Sequence, residues 1–401
     1  MPSLKDYHVL LVGAFLRALA TGLVAVLLGI HLSSLSFNEK QIGATIGTGL
    51  TGAAFAALIV TMMGNRIARK ATLILLALLH MAGGLIVANS TQMFMIGIAS
   101  FLGMLNGMGR DRGASLILDQ AILPSTTREE NKTRLFAWYN VSQDAGHALG
   151  GVLAGIPYIF REIFYVDHLT SLRWGIYLYA FIHALTSLLY LKLSSHIESQ
   201  KLNQKEKISP HAKKIIWKIS SLFGMDSFAG GFLTTSFLTL FFYQRFHVSE
   251  GAIGLLFFFA RIGNALSHFG AAWLSQRIGL INTMVFTHIP SSLFLVTVTF
   301  APNFWMAAIL FLLREGLVEM DVPTRQSYVM AVVNRDERIV AAGVTHLVRL
   351  LGWAIAPFFA GWLITKTSLA LPLIIGAVMK VIYDVLLYVA FKNVRPAEEV
   401  K

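Results

Sequence analysis

Apolar residues run in long stretches along this chain, separated by short polar gaps. Twelve stretches are long enough to cross a bilayer, which takes about 20 apolar residues in a helix. They cover residues 8–33, 41–63, 71–89, 92–118, 134–158, 172–194, 216–243, 249–273, 280–300, 303–330, 338–364 and 369–391. Lipid cannot satisfy exposed backbone donors and acceptors, so each span is predicted to be helical. The one long polar stretch, Ser195 to Lys214, carries Glu198, Lys201, Lys205, Glu206, Lys207 and Pro210. It divides the chain into a first bundle of six helices (1–194), a cytoplasmic linker (195–214) and a second bundle of six (215–401). The fold class expected is all-α: a polytopic membrane protein with twelve transmembrane helices in two pseudo-symmetric bundles. Compact loops leave little room for a domain outside the membrane.

A local pattern supports the duplication. Glu39, Ile42, Gly43 and Arg66 recur 211 positions later as Glu250, Ile253, Gly254 and Arg277. In both copies an apolar segment separates the Ile-Gly pair from the arginine, which sits in a polar gap. Many secondary transporters are built from such repeats, with the substrate site between the halves.

Composition agrees with a membrane chain. Hydrophobic residues make up 55% and charged residues 13%, about half the roughly 25% charge of soluble domains. The net charge of +12 raises the question of nucleic acid, which its distribution answers. With both termini inside, twenty lysines and arginines fall on the cytoplasmic side, seven of them between Lys192 and Lys218. Only Lys40, Arg161, Arg173, Arg245 and Lys366 fall outside. The positive-inside rule produces this asymmetry, so the excess is a topology signal and no nucleic-acid partner is expected. The first apolar run is too long for a signal-peptide core and lacks a small-residue cleavage site after it, so it is read as a retained helix. The absence of cysteine excludes disulfides and thiolate metal sites. The histidines are scattered without metal-site spacing and no Gly-rich phosphate loop precedes a helix. No enzyme, cofactor or metal is expected; the partners expected are the bilayer, a small-molecule substrate and protons, with the chain acting as a monomer.

The loop between the second and third spans reads Gly64-Asn65-Arg66-Ile67-Ala68-Arg69-Lys70, and the one between the eighth and ninth reads Ser275-Gln276-Arg277-Ile278-Gly279. Together with the twelve spans, these loops resemble the major facilitator superfamily, whose signature there is roughly Gly-x-x-Asp-Arg-x-Gly-Arg-Arg. Asn65 and Gln276 stand in place of the acid and Ala68 in place of a glycine. In that family the loop latches the bundles in one conformation. Here the latch would use neutral hydrogen bonds, weaker than charge-assisted ones. In the fifth span, Gly146-His147-Ala148-Leu149-Gly150-Gly151 is similar to an exporter motif, with His147 in the place of its proline. Glycines four apart also permit close helix contact in any membrane helix. The stretches Asp226 to Gly231, Thr283 to Ser291 and Met320 to Tyr328 resemble a branch of bacterial-type carriers, which implies a multi-pass protein of a bacterial inner membrane.

Ionisable residues inside a membrane are functional candidates by default. Arg17, Asp226, Arg261, Glu315 and Arg349 each lie roughly 15 Å from either face, at about 1.5 Å of rise per residue. The resemblance implies that spans 1, 4, 7 and 10 line a cavity flanked by 2, 5, 8 and 11, where these residues converge. Arg17, Arg261, Arg349 and Glu315 are candidate substrate ligands, because the arginine fork suits carboxylate, phosphate or sulfonate. Mutual pairing that only holds the bundles in register is the structural alternative. Asp226, Glu315, Asp144, Glu319 and His147 are candidate proton-coupling groups, since alternation between water and burial changes proton affinity. Asn65, Arg66, Arg69, Asp111, Arg112, Gln276, Arg277, Asp321 and Arg325 are candidates for conformational gating, with Asp111 the repeat counterpart of Asp321. Lys380 and Asp384, four apart on a supporting helix, are expected to neutralise each other.

The function expected is a secondary active transporter working by alternating access. Proton-coupled export of a small organic molecule is the first reading. Proton-driven uptake of an organic anion held by Arg17 and Arg349 is the second. A metal exporter using Asp226, Asp144 and His147 is the third, and the arginines argue against it.

Overall fold

The computed structural model describes residues 4–63, 68–111, 113–126, 132–198, 209–322, 324–325, 328 and 338–391. The regular elements among them are helices. The first eight are α1 (Leu4–Ser34), α2 (Glu39–Met63), α3 (Arg69–Asn89), α4 (Met93–Leu102), α5 (Ala114–Ile122), α6 (Lys132–Leu153), α7 (Ile156–Phe164) and α8 (His168–Tyr190). Then follow α9 (Pro210–Gly231), α10 (Thr235–Phe246), α11 (Glu250–Ile278), α12 (Leu280–Thr299), α13 (Phe304–Val318), α14 (Arg338–Lys366) and α15 (Ala370–Phe391). By length and apolar composition, α1, α2, α3, α11, α12, α14 and α15 are able to cross a membrane.

Four of the apolar spans are not single helices. The fourth stops at Leu102 and resumes at Ala114, the fifth is interrupted at Ala154 and Gly155, the seventh at 232–234, and the tenth at Glu319 and Met320. The fourth break follows Gly103, passes through Met104 (φ 49°) and reaches Gly109 (φ 71°). Its freed carbonyls find donors within the protein. The Ser236 N–H donates to Gly107 O at 3.0 Å and the Thr235 hydroxyl to Met108 O at 2.9 Å. Irregular backbone at membrane depth is stable only where protein satisfies it in this way. In the seventh span, Thr234 restarts the helix by accepting the Phe237 N–H at 3.3 Å. The break in the tenth places Glu319 at the C-cap of α13.

Contacts gather the residues into two compact units, Met1–Asn203 with Thr234–Phe258, and Gln204–Leu233 with Phe259–Lys401. In the first, α1 packs on α6 and α8, and α3 packs on α8. Gly150 of α6 meets the α1 backbone so closely that a Cβ there would lie 2.2 Å from Leu19 O. Gly151 and Gly155 face Gly254 and Gly251 of α11. The glycines of the fifth span are therefore packing surfaces. In the second unit, α9 packs on α14 and α15, and α12 on α13 and α15. A Cβ at Gly352 would lie 2.8 Å from Gly224 O, so α9 and α14 run in backbone contact.

Candidate functional site

Each unit buries a set of ionisable side chains. In the first, Arg17 projects from the middle of α1 and is 2% exposed, so its charge has to be met inside the protein. Its Nε lies 2.8 Å from Asp111 Oδ2 in the broken fourth span. Its Nη2 lies 2.5 Å from Asp119 Oδ2 on α5, and its Nη1 donates to the Tyr190 hydroxyl at the end of α8. The Tyr139 hydroxyl of α6 adds a 2.8 Å bond to Asp119 Oδ2, while Asp119 Oδ1 is buried without a partner among the described residues. His147 holds the break itself. Its Nε2 accepts the Asp111 N–H at 3.2 Å, and its Nδ1 lies 3.0 Å from Ala18 O. Two carboxylates thus share one guanidinium, and the break in the fourth span brings them to it.

The second unit carries a longer series. Asp321 Oδ2 lies 2.5 Å from Arg325 Nη1, which is 3.4 Å from Asp226 Oδ2 on α9. Asp226 Oδ1 is 2.6 Å from Lys380 Nζ on α15. Lys380 Nζ lies 3.5 Å from His288 Nε2 on α12, and His288 Nδ1 lies 2.9 Å from Asp384 Oδ1. These contacts suit one neutral tautomer. An ammonium only donates, so Nε2 facing Lys380 is the acceptor and Nδ1 carries the hydrogen to Asp384. Tyr383 stands perpendicular to the His288 ring at 6.2 Å. Beside the series, Arg349 of α14 donates from Nε to Ser227 Oγ at 3.1 Å and covers the Trp353 ring at 4.7 Å.

Several sequence-derived candidates fall into these sets: Arg17, Asp111 and His147 in the first, Asp226, Asp321 and Arg325 in the second, with Arg349 alongside. Glu315 lies apart, held by Arg314 and by Asn264 Nδ2 at 3.0 Å. Arg261 is half-buried on α11 and Asp144 half-buried on α6. Asp144 makes no ion pair among the described residues. The Lys380–Asp384 pair expected from helix spacing is replaced: Lys380 takes Asp226 and Asp384 takes His288, because α9 and α12 bring partners closer than the next helical turn. Asp119, Tyr139, Tyr190 and His288 were missed by sequence reasoning. His288 alone carried a usable signal, a titratable side chain in the middle of an apolar span. Among the described residues no group of three or more histidines, cysteines or carboxylates is arranged to hold a metal. Asp226, one of the proposed metal ligands, is taken up by Lys380 and Arg325.

Of the gating candidates, Asn65, Arg66 and Arg112 lie outside the described residues. Arg69 opens α3, where the Glu198 carboxylate accepts the N–H groups of Arg69 at 2.7 Å and Lys70 at 3.2 Å. Arg69 Nη1 donates to Ile197 O and Lys70 Nζ to Leu191 O and Leu193 O. A carboxylate from the far end of the unit thus serves as the cap that Ala68 cannot provide. Gln276 is exposed, and Arg277 lies over the Trp273 ring at 4.2 Å. The repeated glutamates differ: Glu39 is half-buried at the start of α2, whereas Glu250 is fully buried and lies 2.7 Å from Arg161 Nη2. His168 beside this pair is held below its ordinary imidazole value by burial and by the Arg161 charge.

The family profile of the Major Facilitator Superfamily matches residues 10–243 and 220–401. An uncharacterized membrane protein of Saccharomyces cerevisiae is 22% identical over 97% of this chain and 95% of its own. Among solved structures, the nucleoside transporter NupG superposes with a TM-score of 0.75 at 16% identity, covering 96% of this chain and 99% of that one. A bacterial homologue of the human lysosomal transporter Spinster, inward-facing and occupied, superposes with 0.74 at 14% identity, covering 96% of each.

Proposed function

Because the chain belongs to the major facilitator superfamily, and is therefore a multi-pass secondary transporter rather than an enzyme, we propose that it couples the movement of a small organic solute to protons. The observation that carries this reading is the buried series Asp321, Arg325, Asp226, Lys380, His288 and Asp384. A fixed structural pair needs one acid and one base. This series has a titratable histidine between a carboxylate and an ammonium, where one proton changes its charge and redistributes every contact along it. Wetting and drying of such groups as access alternates changes their proton affinity, which is what coupling requires. The first unit supports the reading independently, since Asp111 and Asp119 share the single guanidinium of Arg17.

Export in exchange for protons and uptake together with protons use the same groups with opposite sign. The fifth-span glycines that resemble the exporter motif pack against α1 and α11, a role compatible with either direction. Purified protein in proteoliposomes with a luminal pH dye, challenged with organic anions, cations and neutral compounds, tests the coupling. Solute-triggered pH change is expected in the wild type and lost in Asp226→Asn or His288→Gln. Solute flux without proton movement in the wild type overturns the reading.

A further inference from the structure

Within the spans, Arg17, Arg314, Arg325 and Lys380 each meet a carboxylate. Arg349 meets none among the described residues. Its Nε is occupied by Ser227 Oγ and one face of its guanidinium lies over Trp353, so the Nη donors keep their hydrogen-bonding capacity. The side chain is half-buried, so these donors are partly open to a ligand while the charge is partly removed from water. Its surroundings are closely packed. Trp353 is 5% exposed and fits against Gly230, where a Cβ would lie 3.0 Å from its Nε1. Ser227 is fully buried on the face where α9 and α14 touch. Hydroxyl, guanidinium and indole are therefore packed side by side.

From this geometry we infer that Arg349, with Ser227 and Trp353, binds the carboxylate of a singly charged organic acid. The charge class follows from the buried series with Arg349 beside it. Asp226, Asp321 and Asp384 supply three negative charges; Arg325, Lys380 and Arg349 supply three positive ones. With His288 as the Nδ1–H tautomer the set is neutral. A monoanion at Arg349 then calls for one compensating proton, whereas a dianion such as phosphate calls for two or leaves an uncompensated buried charge. The buried indole beside the guanidinium favours an apolar or aromatic body over a strongly hydrated inorganic ion.

The sign of coupling follows as well, and this part rests on the proton-coupled reading. A carboxylate added at Arg349 leaves the set one positive charge short. A proton restores neutrality, on His288, which faces Asp384, Lys380 and Tyr383 of α15, Asp226 of α9 and Asp321, or on Asp226, which faces Lys380, His288, Arg325 and Arg349. Anion and proton then promote each other's binding, and by linkage the effect is reciprocal. The two travel together, as symport.

Binding to the purified full-length protein tests the site without any transport step. The probes are benzoate and octanoate, their amides as neutral isosteres, and benzenesulfonate, which stays ionised throughout. Thermal shift and tryptophan quenching give the readout. Charge-assisted hydrogen bonds of about 1.5–3 kcal/mol correspond to at least roughly tenfold tighter binding of the anions than of the amides. Arg349→Gln is expected to abolish that preference. Arg349→Lys, which keeps the charge and loses the fork, should reduce it, and provides the test where the glutamine variant does not fold. Equal binding of amides, an unchanged preference in both variants, or no binding of any anion in the panel overturns the site. Benzenesulfonate affinity is expected to rise as pH falls from 8 to 6, and to lose that dependence in His288→Gln. Anion preference without pH dependence leaves the site standing and overturns symport alone.

Discussion

Lys380 Nζ lies 2.6 Å from Asp226 Oδ1, joining α15 to α9 across 154 positions of sequence. The pair is the centre of the second unit's charge series. With Lys380 committed to Asp226, Asp384 is left to His288, and a titratable ring enters a network that would otherwise be permanently charged.

Removing one member of a buried pair strands its partner, at about 3–5 kcal/mol. Asp226→Ala is therefore expected to unfold well below the wild type in detergent. Asp226→Ala with Lys380→Met, which removes both charges, should regain most of the loss. A double variant no more stable than the single one would show that Arg325, rather than Lys380, is the partner that matters.

Arg17 addresses Asp111, Asp119 and Tyr190 through three different nitrogens. A lysine is a point charge and reaches one or two of them, leaving at least one buried polar group unmet at about 1–3 kcal/mol. Arg17→Lys should lower the midpoint of thermal unfolding measurably. An unchanged midpoint would mean that α1, α5 and α8 are held together by packing alone.

Two glycines provide opposite expectations. A Cβ at Gly150 would strike the Leu19 carbonyl at 2.2 Å, whereas one at Gly97 meets nothing within 4 Å. Gly150→Ala should destabilise by forcing α6 from α1. Gly97→Ala, inside α4, is expected to gain about 0.5–1 kcal/mol from the reduced freedom of the unfolded chain. Comparable effects of the two would refute the close α1–α6 approach.

The cap on α3 is supplied from 129 positions away by Glu198. Losing a cap costs a helix about 0.5–2 kcal/mol, and a carboxylate also complements the N-terminal dipole. Glu198→Ala should speed amide hydrogen exchange in the first turn of α3, at Arg69 to Leu73, with little change in α2. Uniform protection across that turn would show that the carboxylate does not serve as its cap.

The residues that cross the membrane were legible in the sequence because a bilayer imposes one requirement, about 20 apolar residues in a helix, that composition records directly. The repeat of Glu39 to Arg66 as Glu250 to Arg277 was legible for the same reason: each copy is local. Arg17, Asp226 and Arg349 stood out because charge in lipid is costly wherever it points. Asp119 and Tyr190 did not, lying at the ends of spans where polar residues are ordinary. The contacts between these residues are another matter. Helix spacing assigned Asp384 to Lys380, yet the approach of α9 and α12 reassigned both. Hydropathy hid the break after Gly231, because Phe232-Leu233-Thr234 is nearly as apolar as the helices beside it, whereas the break after Leu102 runs to Gly113 and carries Asn106, Arg110 and Asp111, polar residues that a continuous span does not need. The sequence determined which residues enter the membrane and which of them are charged. Only the tertiary structure decided that Lys380 meets Asp226, that Asp384 meets His288 and that Arg349 meets Ser227 and no carboxylate among the described residues, since pairing is settled by distances of a few ångströms between helices far apart in the chain.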